Sequence, residues 1–141
     1  MEKKKLLFIF NPKSGKGQIK NRLMEILDIF VKSGYEVTVH PTQKKNDAME
    51  VVISESENYD LLVCCGGDGT LDEVVNGMMN VAEQIPIGYI PSGSTNDFAQ
   101  SLRIPKNMLK AADIAVNGRN YLCDIGTFNE NYFVYIAAFG L

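Results

Sequence analysis

Four times along this chain an apolar run of strand length gives way to a turn, and then to apolar residues at helical spacing. No other feature restricts the fold as much. "LLFIF" at 6–10 is a short continuous apolar run, as in a strand buried on both faces. The turn-forming "NPKSGKG" at 11–17 follows, and then Ile19, Leu23, Ile26, Leu27 and Phe30 recur with helical period, with Gly34 as a stop. "YEVTVH" at 35–40 alternates as a strand. Pro41 and Thr42 turn the chain, and Asn46 or Asp47 can cap a helix carrying Ala48, Val51 and Val52. "LLVCC" at 61–65 is the third strand, and Leu71, Val74, Val75, Met78 and Met79 mark one face of the next helix. "IPIGYI" at 85–90 is the fourth strand. A polar loop and a helix over 106–116 complete the alternation. Such a pattern predicts the α/β class: an open parallel sheet with helices on both faces.

After Asn117 and Gly118 the pattern changes. "NYLCDIGTF" at 120–128 and "NYFVYIAAF" at 131–139 predict two adjacent strands around a turn at 129–131, with no helix between them. The expectation is therefore one α/β domain over 1–118, followed over 119–141 by the first strands of a truncated β-rich second domain. On that reading the chain is the front part of a longer protein. A closing hairpin on the same domain is the alternative.

The chain has 141 residues, enough for one domain with a full core and hardly enough for two. A net charge of -3 argues against a nucleic-acid partner. Lys3, Lys4 and Lys5 form the only basic run, which reads as a solvated face or a weak contact for anionic lipid. Cys64, Cys65 and Cys123 lack the spacing of a zinc site or a disulfide framework, so they read as buried thiols of a reducing compartment. No apolar stretch approaches the ~20 residues of a transmembrane segment. No secretory signal opens the sequence. A cytoplasmic protein is expected.

In a parallel sheet, ligands bind outside the carboxyl ends of the strands. Four loops should meet there: 11–17, 41–46, 66–70 and 91–97. In "GGDGT" the glycines allow close approach of backbone to a ligand. Thr70 with Glu73 three residues on reads as a capping box for a helix starting at Leu71, whose free N–H groups suit phosphate. Asp68 is the odd member, because an acid repels phosphate unless a metal ion or proton donor lies between them. The plainer reading is a tight turn in which Asp68 holds backbone N–H groups. "PSGSTNDFA" at 91–99 repeats the logic with Gly93, Ser94, Thr95, Asn96 and Asp97. "NPKSGKG" lacks the Walker A spacing, and Gly15, Gly17 and Lys20 fail the dinucleotide fingerprint. His40 is the only histidine, which excludes a multi-histidine metal site.

"NPKSGKG", "GGDGTLDEVVNG" at 66–77, "PSGSTNDFA" and "CDIG" at 123–126 together resemble the diacylglycerol kinase catalytic domain family, in the family's order and across nearly the whole chain. The resemblance implies an ATP-dependent lipid kinase. Its first domain would be a Rossmann-like three-layer nucleotide domain, and its second a β-rich domain that helps form a lipid cleft. It implies that Asn11, Pro12, Lys13, Ser14 and Gly15 line the nucleotide site with Thr42 beside them. Gly66, Gly67, Asp68, Gly69, Thr70, Leu71, Asp72 and Glu73 would hold the phosphates, with Ser94 and Asn96 facing them from the other loop. Asp68, the residue carrying the catalytic role, would with Asp97 and Asp124 surround a Mg2+–water network. Asp72 stands where many relatives have Asn, so it is expected to point along its helix. Ser94 stands where Thr is common. No residue here can be assigned as general base toward the lipid.

The implied partner is diacylglycerol or a related lipid, met at the inner face of the membrane by a peripheral protein, and a homodimer is compatible with the sequence. An NAD kinase-like enzyme shares the glycine turn, and a nucleotide-binding module without catalysis fits the chain as it stands.

Overall fold

The computed structural model describes residues 3–93, 96–124 and 133–138. Strands β1 (Lys4–Phe10), β2 (Tyr35–Pro41), β3 (Leu61–Gly66) and β4 (Ile87–Pro91) run parallel in the order β2-β1-β3-β4. β1 and β3 are apolar throughout the interior because helices cover both of their faces. Helix α1 (Gln18–Lys32) packs against α5 (Met108–Asn117) on one face of the sheet. Helices α2 (Asp47–Glu55) and α3 (Asp68–Met78) pack together on the other. The result is the expected three-layer α/β arrangement. Its core joins Leu6, Phe8, Ile26, Phe30, Leu62 and Ile87, all fully buried. Phe8 meets Phe30 edge-on with ring centres 5.3 Å apart, which locks α1 to the central strand.

α1 carries the chain from β1 to one side of the sheet, and α3 carries it from β3 to the other, over the opposite face. The carboxyl ends of β1 and β3 therefore form a switch point, where a crevice opens between loops that diverge. Asn11 N–H donates to the Cys65 carbonyl across that point at 3.0 Å.

One expectation changes. α3 begins at Asp68 with Gly67 as its N-cap, so Thr70 lies inside the first turn, and the capping box with Glu73 does not form. The Leu71 N–H reaches the Gly67 carbonyl at 3.2 Å, which extends the helix backwards to the glycines.

The closing strands, expected as the start of a second domain, join the edge of the sheet. β5 (Arg119–Asp124) pairs antiparallel with β6 (Phe133–Ala138), and β6 pairs parallel with β4 through Ile87–Ile136 and Gly88–Ala137. The hairpin thus covers the edge that β4 would otherwise present as a row of free N–H and C=O groups. The turn between the strands lies outside the described residues. No described helix is long and apolar enough to cross a membrane.

Candidate functional site

The loop after β1 is a 3-10 turn over Ser14–Gly17 in which Gly15, Lys16 and Gly17 all have positive φ. A β-carbon on Gly15 would collide with the Ser92 carbonyl oxygen, so this loop lies directly on the one that follows β4. Ser92 Oγ donates to Ser14 Oγ at 3.0 Å, and Ser92 N–H donates to the Gly66 carbonyl at 2.9 Å. A β-carbon on Gly93 would stand 2.8 Å from the Gly67 Cα. The two glycine loops thus touch backbone to backbone, and no side chain fits between them.

The amino terminus of α3 opens into this contact. Its first N–H groups have no intrahelical acceptor, and no side chain among the described residues caps them. Gly69, exposed in that first turn, would carry its β-carbon into open space with nothing within 4 Å. Neither packing nor a positive φ therefore demands glycine at 69, and the bare backbone suits the close approach of an anion at the positive end of the helix.

Asp68 lies between the loops. Its Oδ2 accepts from the Asp97 N–H at 3.1 Å, which ties α3 to the start of α4 (Asp97–Ser101). Its Oδ1 is shielded from solvent and has no hydrogen-bond donor among the described residues. A buried acceptor without a donor costs about 1–3 kcal/mol, more when charged. The plain turn reading of Asp68 explains Oδ2 and leaves Oδ1 without a purpose.

Thr42 N–H bonds the Phe10 carbonyl at 2.8 Å, which places the loop after β2 beside the loop after β1. Between them lies a cavity of about 250 Å³, lined among others by Asn11, Lys13, Thr42, Lys45, Thr70 and Glu73. Asn11 is partly committed to the fold, since its Oδ1 accepts from the Lys13 N–H at 3.0 Å. Pro12 lines the same cavity. Leu71 is buried in the core, whereas Asp72 and Glu73 are half-buried on α3.

The structure thus gathers Asn11 to Gly15, Thr42, Gly66 to Glu73, Asn96 and Asp97 at one edge of the sheet. Asn96 is buried, and its amide is spent on Gly93: Oδ1 accepts from the Gly93 N–H at 2.9 Å and Nδ2 donates to the Gly93 carbonyl at 2.6 Å. Ser94 lies outside the described residues. Asp124 is not brought to the others. It ends β5, which runs antiparallel, and it pairs with Phe133, three residues before the Ile136 that sits beside Ile87 at the beginning of β4. Its backbone therefore lies toward the opposite end of the sheet from Asp68.

Sequence reasoning singled out neither Ser92, whose Oγ and N–H bridge the loops, nor Tyr89, whose hydroxyl donates to the Gly66 carbonyl at 2.9 Å. A tyrosine in an apolar strand reads as core, and nothing local shows where its hydroxyl goes. Cys64 and Cys65 are buried thiols as expected, and burial pushes both upward, Cys65 to about 12, which favours the protonated thiol. Cys123 falls outside the described side chains.

Fold and site together define an α/β protein whose anion-ready glycine loops meet at the switch point of a parallel sheet. A profile of the diacylglycerol kinase catalytic domain matches residues 5–128. Diacylglycerol kinases of Staphylococcus aureus (strain bovine RF122 / ET3-1) and Staphylococcus carnosus (strain TM300) are each 42% identical over 139 residues. The matches cover 98% of this chain and 44% and 45% of those proteins. The crystal structure of a diacylglycerol kinase from Bacillus anthracis str. Sterne is similar with a TM-score of 0.78 at 28% identity, over 86% of this chain and 42% of that one. The chain belongs to the diacylglycerol kinase catalytic domain family. It spans less than half the length of these relatives.

Proposed function

We propose that this chain is the nucleotide-binding part of an ATP-dependent lipid kinase, which transfers the γ-phosphoryl group to the hydroxyl of diacylglycerol or a related lipid. One observation carries the reading: two glycine loops in backbone contact flank a helix terminus that no described side chain caps, with Asp68 Oδ1, which has no donor among the described residues, between them. Phosphoryl transfer needs chiefly positioning and charge neutralisation, and both are what such a site offers. The N–H groups of Asp68, Gly69 and Thr70 would take the phosphates, and the cavity between Asn11 and Thr42 would take part of the nucleoside.

Mg2+ fits these residues in a limited way. It keeps several waters and uses one or two carboxylates plus substrate phosphates. Among the described residues no three metal-ligating side chains cluster, so a cage of protein ligands is not offered there. Asp68, with Oδ2 fixed by the Asp97 N–H and Oδ1 free, suits a single carboxylate contact, direct or through water. When bound, the ion would neutralise charge on the phosphates. We place the protein in the cytoplasm at the inner face of the membrane, because ATP is the donor and the acceptor hydroxyl sits at a bilayer surface.

The test is ADP release by the full-length protein with Mg2+ and ATP, run with diacylglycerol micelles and in parallel with NAD. Turnover with lipid alone is expected. Turnover with NAD alone would transfer the protein to the NAD kinase-like alternative, and ATP binding without turnover would leave a binding module. Asp68→Ala should lower lipid-dependent turnover by about 100-fold or more, while the unfolding midpoint moves little, since the Asp97 N–H is the donor it loses.

A further inference from the structure

We propose that Tyr89, through its hydroxyl, is the positioning residue that sets the gap between the two glycine loops. The proposal deepens the kinase reading and rests on it only for its kinetic consequence.

Tyr89 is 1% exposed and projects from β4 on the face opposite Gly88, whose β-carbon position abuts Ala115 of α5. Its ring fills core volume that phenylalanine would fill equally well. The hydroxyl therefore needs its own explanation. It donates to the Gly66 carbonyl at 2.9 Å, and the same oxygen accepts the Ser92 N–H at 2.9 Å. Both lone pairs of the last β3 carbonyl are thus held from β4 and from the loop after it. The phenol oxygen also lies 3.4 Å from Asn96 Oδ1, the atom that accepts the Gly93 N–H. Asn96 holds its own backbone at φ 49 to make that pair of bonds.

One hydroxyl thus stands between the residue that precedes Gly67 and the amide that holds Gly93. Those two glycines make the backbone contact at the mouth of α3. Burial first, and then the nearby Cys64 and Asp68, push the phenol upward, so it remains a donor throughout the physiological range. Without the hydroxyl, Gly66 keeps Ser92 and Asn96 keeps Gly93, so the fold survives. What is lost is the phenol hydrogen, which the Gly66 carbonyl takes at 2.9 Å and which Asn96 Oδ1, at 3.4 Å, shares only as the longer branch of a bifurcated bond, and the cradle can widen.

Tyr89→Phe keeps the ring and removes only the hydroxyl. Ile87→Val, a buried change on the same strand away from the loops, is the matched control for stability. In the full-length protein, amide hydrogen exchange at Ser92 and Gly93 should accelerate about fivefold to tenfold in Tyr89→Phe beyond any change in β1 amides. In Ile87→Val all these amides should shift together. The KM for ATP should rise several-fold in Tyr89→Phe while the KM for lipid stays put. If exchange and KM in Tyr89→Phe merely follow global stability, as in the control, the hydroxyl is an ordinary satisfied core group and the proposal falls. If the wild-type protein turns over no ATP, the kinase reading falls instead, and the exchange comparison still decides the role of Tyr89.

Discussion

Gly69 shows most directly how a single position can be read for use rather than for folding. An added β-carbon would meet nothing, and the residue lies in the first turn of α3 without a positive φ. Alanine should therefore stabilise the helix by about 0.5–1 kcal/mol and raise the melting temperature. The same methyl would stand where an anion approaches the helix terminus, so ATP affinity should fall. Thermal unfolding and ATP titration of Gly69→Ala measure the two effects together, and a variant that gains stability without losing affinity would remove Gly69 from the cradle. Asp68 and its glycines were legible in the sequence because an acid among bare residues, between a buried strand and a helix, has few purposes. Tyr89 was not, because its acceptor lies 23 residues away and only the folded sheet brings them together. Asn96 was half legible: its place was visible, but the commitment of its amide to Gly93 depends on a backbone turn that sequence does not display.

At the level of elements, β2 is tied to the start of α2 by one polar contact. His40 Nε2 lies 3.1 Å from Asp47 Oδ2, which also accepts the Gln43 N–H at 2.7 Å. Burial draws the Asp47 carboxyl upward, but the Gln43 N–H, the His40 ring and Lys44 outweigh it and hold it below its usual range. A carboxyl lowered in the folded state stabilises the fold above its ordinary value of 3.8, and that contribution is lost as pH falls through the lowered value. Denaturant unfolding should show wild type more stable than Asp47→Asn at pH 7, with the difference narrowing steadily below about pH 4. A difference independent of pH would assign the effect to packing. This contact shapes the loop that carries Thr42, so the cavity should loosen with it. Helices and strands were readable here from their apolar periods, whereas their first residues were not. Gly67 and Thr70 can both begin a helix, and the choice fell to the glycine because the Leu71 N–H found its carbonyl.

Across the whole molecule, the alternation of four strands with helices sufficed to place the site at one edge of the sheet. It did not reveal that the closing hairpin would attach beside β4, since that pairing is non-local and no helical period announces it. Ile136 is fully buried there, opposite Ile87. Ile136→Ala should cost about 2–4 kcal/mol in denaturant unfolding. A loss below about 1 kcal/mol would mean that the hairpin is not seated on the sheet. The antiparallel run of β5 also sets the Asp124 backbone toward the opposite end of the sheet from Asp68. The contact between Gly67 and Gly93 has one more consequence, for anyone seeking an inhibitor. An inhibitor that engages only the peptide groups of these two loops offers resistance very little to alter. A new side chain at 93 would press on the opposite backbone, and one at 15 would strike Ser92. Escape from such a compound would carry its own cost in folding, whereas one anchored on Lys13 or Lys45 could be evaded by exchanging an exposed side chain.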